Sequence, residues 1–372
     1  MLFAFLGAIL PVWGYHLTEL YRSVGNYFFA FNLGLFAANR LAAWLLPRKG
    51  IRWCLRLACS VACAVLLGLA YMPQAGTLWR LSGLLLLGAS SGLLHGAIFQ
   101  AITPIYRHDP AATGNLAGIF FGSGSLFMAL LAAGTYYVYT VPAILVLIAI
   151  IPGFFAVWYS RVQHDVVVPV MPKLSETIKD LRTPIAIQLG LVLMLQCANE
   201  WSVGGWLALF LTHRLGVSPS SSLLFLSLYY AALVIGRIVA QAVLPLIRHG
   251  KLLFIGCLAA VLGFVILTFT DNRFGVVSGI LFVGIGFAPV YPLVAGRIGG
   301  RFPYYEPALY HGIFTVAFAG ALLATGAQGY LASWMGVRSV LMVPLIGSCL
   351  VSFLLGAIWI ETKLAGWNQK TD

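Results

Sequence analysis

What confines this chain most is the recurrence, from one end to the other, of apolar blocks at least ~20 residues long parted by short polar turns. At ~1.5 Å per helical residue, each block can cross a hydrocarbon core of ~30 Å. Twelve such spans are read, at roughly 2–21, 25–46, 53–73, 77–102, 112–138, 139–160, 184–213, 218–247, 251–270, 274–300, 306–333 and 337–361. The blocks are continuously apolar and lack the two-residue alternation of a barrel strand, so helices are predicted. With 9% charged residues, the chain could not coat a soluble particle of 372 residues. The expected class is an all-α integral membrane protein. Its opening residues, Met1 to Phe5, carry no basic stretch of the kind that precedes a cleaved signal, so the first span is expected to be retained.

The net charge of +12 reads as a topology signal once its distribution is followed. With the N-terminus inside, fifteen of the 22 Lys and Arg residues fall in inner loops and tails and five in outer loops. Arg40 and Arg237 lie within spans. That bias predicts a multi-pass protein of the plasma or inner membrane with both termini cytoplasmic. No soluble domain is available to present a groove-reading element, so nucleic acid is not an expected partner. The six cysteines all fall in spans or at their edges and read as packing, with no metal site or disulfide framework.

The long polar connection at 161–183 divides the spans into six and six: an N-terminal bundle over 1–160, a cytoplasmic linker over 161–183 and a C-terminal bundle over 184–372. Gly92, Arg107 and Gly118-Ile119-Phe120 recur 194 residues later as Gly286, Arg301 and Gly312-Ile313-Phe314. Six is even, so the two halves enter the membrane with the same orientation, as parallel repeats do. Small-residue ridges at Gly88, Gly92 and Gly96, and at Gly114, Gly118 and Gly122, allow close helix approach. Pro11 and Gly14, Gly204-Gly205, and Gly284 to Pro292 are expected to interrupt spans 1, 7 and 10 and to mark the helices lining a cavity.

Together, the 6+6 arrangement, the Gly-Arg and basic loop after span 8 with its counterpart Asn39-Arg40 after span 2, and the basic linker resemble the major facilitator superfamily. The segment Gly284-Ile285-Gly286-Phe287-Ala288-Pro289-Val290-Tyr291-Pro292 is similar to span 10 of its fucose-permease-like branch, and Glu200-Trp201-Ser202-Val203-Gly204-Gly205-Trp206 to span 7. The resemblance implies two pseudo-equivalent six-helix bundles that carry a solute, sugar-like and coupled to protons in that branch, by alternating access. The sequence departs from the pattern in span 1, which holds His16 and a late Glu19 in place of a membrane-centred aspartate.

Ionisable groups at depth are costly and mark functional positions. Of ten acidic residues, Glu200 alone lies well inside a span, with Gln196 and Asn199 on its face. It is the candidate for binding substrate or carrying a proton, the alternative being a structural hydrogen bond between helices. Trp13, His16, Asn32, His95, Tyr229, Tyr230 and Tyr291 lie at similar depth. Amide, hydroxyl and imidazole groups beside aromatic faces suit a polyhydroxylated ligand, although each alone could serve packing. Arg40 and Arg237 occupy equivalent places and are expected to gate one end by pairing with Asp109 and Glu306, the alternative being snorkelling to the surface.

No phosphate-binding loop of the Gly-x-x-x-x-Gly-Lys-Ser/Thr kind occurs, so no nucleotide or other cofactor is expected. The leading reading is a secondary transporter of a small solute, acting as a monomer in the bilayer with protons as the coupling ion. An exporter of hydrophobic or amphiphilic compounds is the main rival. A membrane enzyme or a channel is more remote, because the loops are short and nearly free of acids.

Overall fold

The computed structural model describes residues 1–13, 21–72, 76–106, 110–161, 184–244, 246–301 and 313–368. It is helical almost throughout. A single 3-10 turn, Leu2–Ala4, leads into α1 (Phe5–Trp13), followed by α2 (Tyr21–Lys49), α3 (Ile51–Tyr71), α4 (Thr77–Tyr106), α5 (Pro110–Thr135) and α6 (Val141–Arg161). The second half comprises α7 (Pro184–Leu215), α8 (Pro219–Val243), α9 (His249–Phe269), α10 (Arg273–Phe287), α11 (Val290–Arg301), α12 (Ile313–Met335) and α13 (Ser339–Asn368). Helices α10 and α11 are two pieces of one span, parted at Ala288-Pro289 as the Gly/Pro-rich segment predicts.

Nine spans among the described residues are long and apolar enough to cross a membrane. The three others are α1, described only to Trp13, and α7 and α12, which carry buried amides and hydroxyls. Phe120, Phe254, Phe274 and Phe353 stand out from the surface, as a girdle facing lipid requires. Tight reversals need backbone with positive φ, supplied by Gly50 (φ 81°) after α2 and Gly216 (φ 60°) after α7.

Helices α1–α6 and α7–α13 make up the first and second halves. Within the first, α4 lies on α2 through Gly88 and Gly92, whose missing side chains let the carbonyls of Phe31 and Leu35 approach. In the second, Gly284 of α10 admits the backbone of α8 in the same way. Between the bundles the contacts are reciprocal. The second span of the first half, α2, packs on the fifth of the second half, α12, while the second span of the second half, α8, packs on α5.

These two seams lie at opposite ends of the helices. The α2–α12 seam joins the start of α2 to the end of α12: Gly329 meets Gly25, Tyr330 donates its hydroxyl to Asn26 Oδ1 at 2.6 Å, and Arg22 Nε donates to Ser333 Oγ at 3.1 Å. The α5–α8 seam joins the start of α5 to the end of α8: Gly122 accepts Val234, and Asn115 Nδ2 donates to Arg237 O and to Gln241 Oε1, both at 2.8 Å. Both seams are made among the described residues. Of the linker expected at 161–183, Arg161 ends α6 and the rest lies outside them.

Candidate functional site

Between the seams, α1 crosses α7 so closely that a side chain on Gly7 would fall on the backbone carbonyl of Gly204. The cavity lies beside this crossing. From the first bundle it is lined by Phe3 and Leu6, by Phe28, Phe31 and Asn32 of α2, and by Phe121 of α5. The second bundle supplies Glu200, Trp201, Gly204 and Gly205 of α7, and Tyr229, Tyr230 and Leu233 of α8. Only about 30 Å³ is open to the centre of a water molecule, room for a water or two. The walls are rings packed edge to face, with Phe3 centred 5.2 Å from Trp201 and 5.3 Å from Phe121.

Polar chemistry is concentrated on one side. Glu200 Oε2 accepts from Arg237 Nη2 at 3.1 Å, and Glu200 Oε1 accepts from Gln196 Nε2 at 3.0 Å. The Arg237 side chain is 3% exposed and that of Glu200 13%. Arg237 Nη1 reaches across to the other bundle and donates to Gly118 O at 2.7 Å. Gly118 leaves room for this contact, since a Cβ there would stand 3.0–3.1 Å from the guanidinium. Asn32 Nδ2 of α2 donates to Thr325 Oγ1 at 2.7 Å, while Asn32 Oδ1 and, on α8, Tyr229 Oη have no protein partner among the described residues. A ligand entering here would meet aromatic faces, a carboxylate already engaged by a cation, and two oxygens available for new hydrogen bonds.

Of the residues singled out from the sequence, Asn32, Glu200, Tyr229 and Tyr230 line this cavity together, and Gln196 holds Glu200 from behind. Asn199 turns the other way, donating to Ser348 Oγ of α13 at 3.3 Å. Trp13 packs edge-on against Phe5 and Tyr27, outside the cavity. His95 stacks on Phe99 at 4.3 Å and meets Phe3 and Phe318 edge-on, one layer behind the wall. Tyr291, near the start of α11, is not part of the lining. His16, Asp109 and Glu306 lie outside the described residues.

Four expectations change. Glu200 is not a lone carboxylate, and Arg237 turns inward to it instead of toward a partner at the rim. Each group alone would be a desolvated charge costing several kcal/mol, and pairing within the second bundle answers both. Arg40 is half-buried on α2 and its expected partner Asp109 is not described, so that pairing stays an expectation. Span 7 is unbroken: α7 runs through Gly204-Gly205, and these glycines serve close approach, Gly204 to α1 and Gly205 to the ring of Phe28. Among the described residues, α10 and α11, though interrupted, contribute nothing to the lining.

The apolar walls, Phe3, Phe28, Phe31 and Phe121, were not picked out from the sequence, where a lipid-facing and a cavity-facing phenylalanine look alike. The ion pair did leave a signal. Arg237 and Glu200 are ionisable residues placed well inside neighbouring spans, and such residues pair with one another.

No family model matches the chain. An uncharacterised MFS-type transporter of Yersinia pestis is 25% identical over 319 residues, covering 83% of this chain and 80% of that protein. Among solved structures, the E. coli fucose:proton symporter FucP superposes with a TM-score of 0.67 at 14% identity, over 95% of each chain. The nucleoside transporter NupG gives 0.72 at 13% identity, covering 96% of this chain and 98% of its own. The proton:xylose symporter XylE gives 0.70 at 13% identity, covering 96% and 92%. The chain thus shares the major facilitator fold with these carriers along nearly its whole length, as the sequence resemblance implies.

Proposed function

We propose that the chain is a secondary transporter of the major facilitator superfamily, carrying a small sugar-like solute by alternating access with Glu200 as the proton-carrying group. The observation that carries this reading is the cavity itself, walled by α1, α2 and α5 on one side and α7 and α8 on the other, with an ionisable pair at its edge. A site between two bundles is exposed to either side in turn as the bundles rock. Aromatic faces supply contact area, and Asn32, Tyr229, Tyr230 and Glu200 supply orientation. His95, Trp13 and Tyr291 support these walls from behind or lie apart from them.

The wiring of Glu200 supports a coupling role. While ionised, it holds Arg237, and Arg237 in turn holds Gly118 O of the other bundle. A proton on Glu200 removes the anion from this chain of contacts and weakens the α5–α8 seam. In the reading adopted here that seam faces the cytoplasm, as the positive-inside bias would have it, with both termini on the same side. The two bundles would be bounded near 160 and 184, the chain would act as a monomer in the plasma or inner membrane, and Arg40 with Asp109 would serve the same end.

The test is uptake of labelled sugars into proteoliposomes with and without an imposed pH gradient. Glu200→Gln is expected to abolish accumulation driven by the gradient while leaving exchange of labelled for unlabelled solute. Equal loss of both would make Glu200 a ligand group only, and unchanged accumulation would remove it from the mechanism. One observation favours a second reading, transport of a more apolar or amphiphilic solute: most of the cavity wall is aromatic or aliphatic. Efflux of a lipophilic dye, without transport of any sugar tested, would decide for it.

A further inference from the structure

A second opening lies on the outside of the molecule, where α2 begins and α12 ends. It is a groove of about 650 Å³, lined by Arg22 and Phe29 of α2 and by Tyr330, Leu331, Ser333 and Trp334 of α12, among others. The α2–α12 crossing forms its floor. There the ring of Phe29 lies over Gly326, and Gly25 and Gly329 let the two backbones touch.

Depth gives the groove a polar end and an apolar end. The 29 residues of α2 span ~43 Å, the thickness of a bilayer with its headgroup layers. Arg22, the second residue of that helix, therefore stands among the headgroups, and Phe29, about 10 Å further along the axis, at hydrocarbon depth. On α12, Ser333 and Trp334 stand near the last turn, with Trp334 85% exposed, as an interfacial tryptophan is. A guanidinium and a hydroxyl held together at the upper end, Arg22 Nε to Ser333 Oγ at 3.1 Å, suit a phosphodiester. The rings of Phe29 and Tyr330, 6.2 Å apart, and Leu331 suit an acyl chain below it.

We propose that this groove is a binding site for a single membrane phospholipid, its phosphate on Arg22 and one acyl chain running down between α2 and α12. The occupant is a lipid and not a soluble phosphate, because the greater part of the lining is apolar and faces the bilayer. The site shares no lining residue with the central cavity.

Native mass spectrometry of the purified full chain tests it, by measuring the lipid that survives the mildest collisional stripping. The probes are phosphatidylglycerol, diacylglycerol with the same chains, and glycerol phosphate. Wild type should retain one phosphatidylglycerol per chain, and Arg22→Gln should reduce that retention at least fivefold with an unchanged thermal unfolding midpoint. Trp334→Ala, at an exposed position, should reduce it in the same direction. Equal retention by wild type and Arg22→Gln, or diacylglycerol held as firmly as phosphatidylglycerol, would overturn the phosphate contact. Glycerol phosphate bound as tightly as the lipid would overturn the acyl contact.

Discussion

Arg237 Nη2 stands 3.1 Å from Glu200 Oε2, joining α8 to α7 at the edge of the central cavity, with the arginine side chain almost entirely out of contact with solvent. A buried pair of this kind is weak evidence for stability, since desolvation offsets the attraction, but removing one partner strands the other. The asymmetry makes the pair testable apart from transport.

Arg237→Leu leaves Glu200 without its cation and should destabilise the protein by about 3 kcal/mol. Adding Glu200→Gln should restore most of that loss, because no charge is then left behind. Thermal unfolding of the purified protein measures both. An Arg237→Leu variant as stable as wild type would mean that the pair does not hold α7 and α8 together.

The α5–α8 seam can be locked. A Cβ at residue 122 would lie 4.0 Å from Cβ of Val234, inside the ~3.5–4.5 Å range of bonded cysteines. In a background with Cys349 replaced by serine, Gly122→Cys with Val234→Cys should crosslink on mild oxidation. Transport should then stop and return on reduction. Full transport by the crosslinked protein would show that this seam never opens.

Tyr229 offers a hydroxyl that no described protein group engages. Removing a buried hydroxyl that lacks a partner costs the fold nothing, and the net worth of its bond to a ligand is about 1–1.5 kcal/mol. Tyr229→Phe should leave the unfolding midpoint unchanged or slightly raised while increasing KM for the solute roughly tenfold. An unchanged KM would take Tyr229 out of the binding surface.

The spans were legible because hydropathy and length have one solution in a bilayer, and α3, α6 and α9 follow the predicted blocks within a few residues. Which face of a span turns inward was not, since lipid and protein interior are equally apolar. Phe121 of the cavity and Phe120 of the girdle are sequence neighbours with opposite surroundings. Polar residues did better, because each must find a partner or a cavity. Asn32, Glu200, Tyr229 and Tyr230 came together, whereas Asn199, one position from Glu200, found Ser348 on another helix. Gly204-Gly205 was misread because glycine in a span signals either a break or a close neighbour, and only the position of α1 decides which.

The reciprocal packing of α2 on α12 and of α8 on α5 has an energetic corollary. In the proposed cycle, rocking toward either side would sacrifice one junction and keep its counterpart, so the resting orientation would depend on how much dearer one is to separate than the other. One junction is fastened by amide and guanidinium groups around Asn115 and Arg237, the other by close glycine backbones, the Asn32–Thr325 bond and a tyrosine and an arginine at the rim. Small changes in that imbalance, far from any solute, would tilt the whole cycle.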